Sequence, residues 1–222
     1  MSTFTLEPTG EAVAFEPADV VLAGYTGRDQ EAVQRHVSEL AAHGVPAPKR
    51  VPAFYRVTPD LVSMGDRIAV LGPHTSGEGE FILFRFNGDL LVGVASDHTD
   101  RAVEREDVAK SKQLCRKIVG NRVWRLDDAL HHWDHLVLRS FGDEERPYQE
   151  GPVAGLLDPR EIWRRVDERI GGAPDGLLVF SGTLALAGDL AYASRFRVEL
   201  VDELHGQRLE VAYSIEVHPL LD

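Results

Sequence analysis

The pattern of apolar and polar positions along the chain predicts many short strands and a few helices. Residues 1–24 read as two strands, Thr3–Leu6 and the apolar run Val20-Val21-Leu22-Ala23. Asp29 can cap a helix running to about His43, with Val33, Val37, Leu40 and Ala41 as its apolar stripe and Gly44 as its stop. Pro46, Pro48 and Pro52 mark an extended link, followed by short strands near Ala53–Val57 and Arg67–Val70. Two longer β segments, 78–86 and 90–96, flank Asn87-Gly88, and that dipeptide favours a type I′ turn because both positions tolerate φ > 0. Helical spacing returns at 127–138 and 159–170. Strands are predicted at 176–181, 195–201 and 209–217, the last two flanking His205-Gly206. The expectation is a β-rich α+β chain folded as a single domain over 1–222, with 1–50 as a candidate strand–helix lobe.

A symmetric loop at Asn87-Gly88 sets the register of its hairpin. Glu78 then lies opposite Asp97, and Glu80 opposite Ala95. Glu78 and Glu80 are two residues apart on one strand and share a face. Opposed pairs lie about 4.5–5.5 Å apart at Cβ, so Glu78, Glu80 and Asp97 crowd one patch. Like charges so placed destabilise a sheet unless a proton, a basic side chain or a cation offsets them. An all-oxygen set favours Mg²⁺, Mn²⁺ or Ca²⁺. Arg101 is the plainest basic partner, through Asp97 or Asp100. Gly79 leaves room beside the backbone between the two acids.

The rest of the composition narrows the picture. Of 222 residues, 24 are Lys or Arg and 36 Asp or Glu, a net charge of −12 that argues against a nucleic-acid or anionic-membrane partner. The single Cys115 excludes disulfide scaffolds and all-cysteine zinc sites and fits a reducing cytoplasm. No apolar run approaches the ~20 residues of a membrane span, and the first residues are not read as a secretory signal. His131-His132-Trp133-Asp134-His135 lacks the Glu of H-E-x-x-H, so it reads as a polar helix face or a subunit interface. Trp124, Trp133 and Trp163 read as core or interface anchors, Cys115 as a buried thiol, and the 110–117 stretch as solvated basic residues or as a source of one site cation.

Several segments, taken in order, carry a family resemblance. Glu78-Gly79-Glu80, Ser96-Asp97-His98-Thr99-Asp100-Arg101 and Asp175–Thr183 resemble the E-x-E, N-D-x-S-x-R and G-D-x-I-x-T-G-T-P signatures of the fumarylacetoacetate hydrolase family. Ala23-Gly24-Tyr25 through Glu39 resembles its N-Y-x-x-H-x-x-E segment, Ser111-Lys112-Gln113 its G-K-S-x-D segment, and Arg146–Gly151 its R-Q-x-G segment. The likeness spans about residues 20–217 and is greatest to a compact bacterial branch with no assigned reaction. Ser96 replaces an Asn, Leu184 replaces the Pro after Gly-Thr, the Lys112 segment loses its Asp, and an insertion between Glu80 and Asp97 is missing.

The resemblance implies a mixed β-roll or barrel, a homodimer, and Mg²⁺ or Mn²⁺ (with Ca²⁺ as a crystal substitute) held by Glu78, Glu80 and Asp97. It implies His36 and Glu39 as the water-activating pair, with Lys112, Arg101, Gln149 and Thr183 around a small 2-oxo acid. Helix spacing alone makes His36 and Glu39 an ordinary surface pair. The expected reaction is hydrolysis of a C–C bond in an acylpyruvate-type acid, with the cation stabilising an enolate. A lyase on a related acid (decarboxylase, dehydratase or hydratase) and a non-enzymatic protein with the same fold are the alternatives.

Overall fold

A computed structural model describes residues 2–42 and 47–221, with the side chains of His36, Glu39, Leu40 and Ala42 outside the described set. Two sheets face each other across the main core. The larger runs in the order β2 (Glu11–Phe15), β1 (Ser2–Leu6), β9 (Arg122–Arg125), β7 (Asp89–Asp97), β6 (Gly79–Phe86), β12 (Leu177–Phe180), β3 (Asp19–Gly24), β4 (Ala53–Val57). β8 (Lys117–Val119) and the short Val62–Ser63 strand join it beside β7. The smaller sheet runs β11 (Gln149–Pro152), β10 (Val137–Phe141), β13 (Arg195–Asp202), β14 (Gln207–His218), β5 (Arg67–Leu71).

The central strands of the large sheet are buried on both faces. On β6, Phe81 and Leu83 pack towards the small sheet, against Phe196, Val198 and Leu200 and against Ile162, Trp163 and Val166 of α5 (Pro159–Ile170). Ile82 and Phe84 point the other way, into the hollow of the curled sheet, with Phe4, Leu22, Leu91 and Phe180. That second layer is closed by an aromatic cluster in which Phe84 lies 4.8 Å from Phe4 and 4.3 Å from Phe15, ring centre to ring centre. A strand buried on both faces must be apolar at nearly every position, and Phe81-Ile82-Leu83-Phe84 is such a run.

The β-rich α+β expectation is met, and the hairpin register holds. β6 and β7 pair Glu80 with Ala95 and Phe86 with Asp89 around Asn87 (φ 51°) and Gly88 (φ 91°), as a type I′ turn requires. α1 (Gln30–Ala42) begins where expected, the Asp29 carboxylate accepting from the amides of Glu31 and Ala32. Its Gly44 stop lies outside the described residues. α5 and its Asp158 cap match the expected 159–170 helix.

Three expectations need correction. Residues 1–24 hold three strands, because Val13 and Phe15 alternate inward on β2 and pair with β1. The 127–138 segment is not one helix. α4 covers only Leu126–Leu130, a single 3₁₀ turn covers Trp133–His135, and β10 starts at Val137. Ala129, Trp133 and Leu136 are buried at helical spacing, but two stacked short turns present them. Two short helices also went unread: α2 (Arg101–Glu104), capped by Asp100, and α3 (Val108–Gln113), capped by Asp107. They are too short for periodicity to register and are announced only by their caps.

The tryptophans are core residues, and Cys115 is a buried thiol pushed up to about 11 by burial. Among the described residues, no helix is long and apolar enough to cross a membrane.

Candidate active site

Glu78, Glu80 and Asp97 converge where β6 begins and β7 ends. Each offers a carboxylate oxygen, and these oxygens lie within 4.8 Å of one another. Glu80 and Asp97 share their strand face with Ile82, Phe84, Leu91 and Ala95, so the acids cap the apolar hollow at one end. Glu80 and Asp97 are buried, whereas the Glu78 side chain keeps 15% exposure. The backbone between them is tightly packed: a Cβ on Gly79 would come within 3.1 Å of Ser140 and Val198, across the sheet interface.

Basic groups close around the acids, and Arg101 is only one of them. Lys112 Nζ lies 2.5 Å from Asp97 Oδ2 and 3.2 Å from Glu78 Oε2. Lys117, fully buried, stands opposite Asp97 in the β7–β8 ladder and reaches its Oδ1 at 2.7 Å, while also donating to the His98 carbonyl at 2.6 Å. Arg101 pairs with Glu78 at 3.1 Å and Glu104 at 2.8 Å, and its Nε donates to Ser76. It touches neither Asp97 nor Asp100; the Asp100 carboxylate is used to cap α2. Of the basic stretch, Lys110 is solvated and Lys112 and Lys117 are buried.

Four carboxylates thus meet three cations, and the mismatch settles on Glu80. Burial first, then the negative charges of Asp97 and Glu78, push its carboxyl well above the usual range. Its Oε2 accepts from the Gly182 amide at 2.8 Å. For Glu78, burial is outweighed by Arg101 and Lys112, and for Asp97 by Lys112 and Lys117, so both are held below the usual carboxylate range. The same acids keep Lys112 protonated despite its burial. A site with a surplus carboxylate at its centre takes up a proton or a further positive charge. Three carboxylates in reach of one point are the donors that a hard divalent ion uses.

The 181–184 turn is stitched to the start of β6. The Ser181 amide donates to the Phe81 carbonyl, Ser181 Oγ accepts from the Phe81 amide, and Thr183 Oγ1 donates to the Gly79 carbonyl at 2.8 Å. Gly182 has φ 83°, and a Cβ there would fall 2.4 Å from Thr26 Oγ1; only glycine can bring this amide to Glu80. Gln149 ties the turn to the other sheet. Its Oε1 accepts from the Gly79 amide and Ser140 Oγ, and its Nε2 donates to Thr183 Oγ1 and the Leu184 carbonyl. That amide has no bonding capacity left over. Gln149 therefore sits as a clamp under the site, and Leu184 lends its carbonyl.

A cleft of about 410 Å³ reaches the trio at Glu78, its walls also including Tyr25, Arg101, Glu104, Thr183 and Leu186. Tyr25 has φ 58°, an uncommon conformation for a bulky residue, which turns the chain out of β3 at the cleft edge. Behind Asp97, His98 is fully buried between Tyr213 Oη and Thr75 Oγ1, with Ser96 on the same tyrosine hydroxyl. Burial, then Lys117, lowers His98 to about 3, so it is neutral and structural. Tyr25, Glu104 and Lys117 are the site residues that sequence reasoning did not assign. Lys117 was the most accessible of them, since Lys117-Ile118-Val119 reads as a short strand. The backbone of His36 and Glu39 is in α1; their side chains lie outside the described residues.

These features describe a fumarylacetoacetate hydrolase-like fold, and solved structures bear out that fold. A protein from Oleispira antarctica, provisionally described as a fumarylacetoacetate isomerase/hydrolase, is 15% identical with a TM-score of 0.67, over 97% of this chain and all (100%) of the other. A 2-keto-3-deoxy-D-arabinonate dehydratase complexed with magnesium and 2,5-dioxopentanoate is 20% identical, TM-score 0.63, over 92% of this chain and 75% of the other. Maleylpyruvate hydrolase from Sphingobium sp. SYK-6 is 12% identical, TM-score 0.64, over 94% and 75%. Comparison with curated proteins finds no match. The chain belongs to the family described as "Protein of unknown function (DUF2848)", which matches it over residues 23–213.

Proposed function

We propose that the protein is a divalent-metal-dependent enzyme that hydrolyses a C–C bond in a small acylpyruvate-type 2-oxo acid. One observation carries this reading: a carboxylate trio with surplus negative charge, whose Glu78 lines a cleft that also offers a guanidinium. Glu78, Glu80 and Asp97 are the residues that would hold Mg²⁺ or Mn²⁺, which would supply the positive charge that a 2-oxo acid's oxygens seek.

The chain's own groups take the remaining roles. Arg101 faces the cleft and suits a substrate carboxylate. Lys112 stays charged and suits an oxyanion developing beside the acids. Gln149 and Thr183 act as positioning residues, holding the 181–184 turn against β6. Leu186 and Leu190 offer apolar surface to an acyl tail. His36, with Glu39 to orient it, is assigned the proton taken from water.

A lyase on a related 2-oxo acid is the second reading, favoured by the likeness to the magnesium-bound dehydratase. The test is a panel of acylpyruvates and 3-deoxy-2-oxo acids with added Mg²⁺ or Mn²⁺, followed by loss of enol absorbance and by product analysis. Metal-dependent release of pyruvate, abolished in Glu78→Gln and in His36→Ala, is the expected result. Dehydration without cleavage would favour the lyase. No metal-dependent turnover of any member would overturn both readings.

A further inference from the structure

We propose a second cation site, formed by His132, Asp202 and His205, that takes a borderline divalent ion of the Zn²⁺ class and ties the two sheets together. It shares no residue with the acid trio and does not rest on the function proposed above. His132 begins the 3₁₀ turn after α4, beside the large sheet. Asp202 ends β13, and His205 lies in the β13–β14 turn of the small sheet. Their ligand atoms converge: His132 Nε2 and His205 Nδ1 each lie 2.8 Å from the same oxygen, Asp202 Oδ2. The two imidazoles lie with ring centres 4.5 Å apart, their planes tilted by 55°.

Three features distinguish this from a surface hydrogen-bond cluster. The Asp202 carboxylate is buried, and its other oxygen accepts from the amides of Leu204 and His205, so Oδ2 is fixed in place before any ion arrives. Burial pushes its carboxyl up, but the bonds and charges of His205 and His132 outweigh that and hold it below the usual range. A cleft of about 270 Å³ borders the trio, and Glu7 and Asp128 line it, adding oxygen atoms and negative potential on the open side. The donor set is two imidazole nitrogens and one carboxylate oxygen, which suits Zn²⁺ and its neighbours and not Mg²⁺. Bonds of about 2.0–2.2 Å to one tetrahedral ion place ligand atoms about 3.3 Å apart. The half-exposed His205 ring needs only a small outward turn to reach that spacing.

The two sites differ in hardness, so they can be read separately. Chelator-treated protein, held in excess Mg²⁺ to occupy the acid trio, is titrated with Co²⁺ and then with Zn²⁺. The expected result is one Co²⁺ per chain with visible d–d absorption, its displacement by one Zn²⁺, and a higher melting temperature with Zn²⁺. His132→Gln and His205→Gln each weaken Zn²⁺ by about tenfold or more, while Glu80→Gln leaves it unchanged. Because His205 is half exposed, its variant keeps the fold even if the His132 variant does not. Equal Zn²⁺ affinity in His205→Gln and wild type, or no Co²⁺ spectrum in wild type, would overturn the site.

Discussion

Glu80 is the residue on which the electrostatics of the site turn. Its neighbours Asp97 and Glu78 are matched by Lys112, Lys117 and Arg101, and Glu80 is left as the carboxyl whose hold on a proton is strengthened. A carboxyl whose pKa is raised in the folded state binds more protons there than in the unfolded chain. Without metal, its contribution to stability therefore falls as the pH rises above the ordinary 4.5 towards its raised value. Melting curves in chelator should show that decline, and Glu80→Gln should flatten it. Lys112 supports a second residue-scale prediction. Its ammonium contacts Asp97 and Glu78, the oxygens an ion would use, so Lys112→Met should tighten Mn²⁺ binding while lowering turnover. A change of both in the same direction would contradict that role.

At the scale of elements, the β6–β7 hairpin places the acids, and its turn fixes which residues meet. Asn87 sits at φ 51°, where a β-branched side chain costs about 1–2 kcal/mol. Asn87→Val should lower the urea midpoint and weaken metal binding together; Asn87→Gly should leave both near wild type. The Gln149 clamp invites a parallel test. Gln149→Leu strands the buried Gly79 amide, which alone costs about 1–3 kcal/mol, and should reduce kcat through the loosened 181–184 turn.

These two features also mark what the sequence could and could not disclose. The hairpin was legible because turn chemistry and strand alternation agree about the same residues. Gln149's four bonds reach residues on three other segments, and no local pattern announces them. Lys112 and Lys117 read equally well as solvated lysines, because only the β7–β8 register turns Lys117 inward. The histidine-rich stretch misled in another way. Its i, i+4 pair, His131 and His135, requires a continuous helix, and the break after α4 presents His132 to Asp202 instead.

The whole molecule is a curled sheet with an acidic mouth, backed by a second sheet that holds the mouth's loop in place. The carboxylates sit on central strands whose faces are both filled with core side chains, so an ion bound there braces the middle of the large sheet. Its binding should raise the melting temperature of the whole chain as one transition. The central claim is that Glu78, Glu80 and Asp97 form a hard-metal site. Calorimetric titration of Mn²⁺ into chelator-treated protein, in Mg²⁺-free buffer at two pH values, tests it most directly. The account predicts one ion per chain at this site, an affinity that rises with pH as Glu80 gives up its proton, and loss of that binding in Glu80→Gln but not in His205→Gln. Binding that is absent, or that is unchanged by Glu80→Gln, would contradict it.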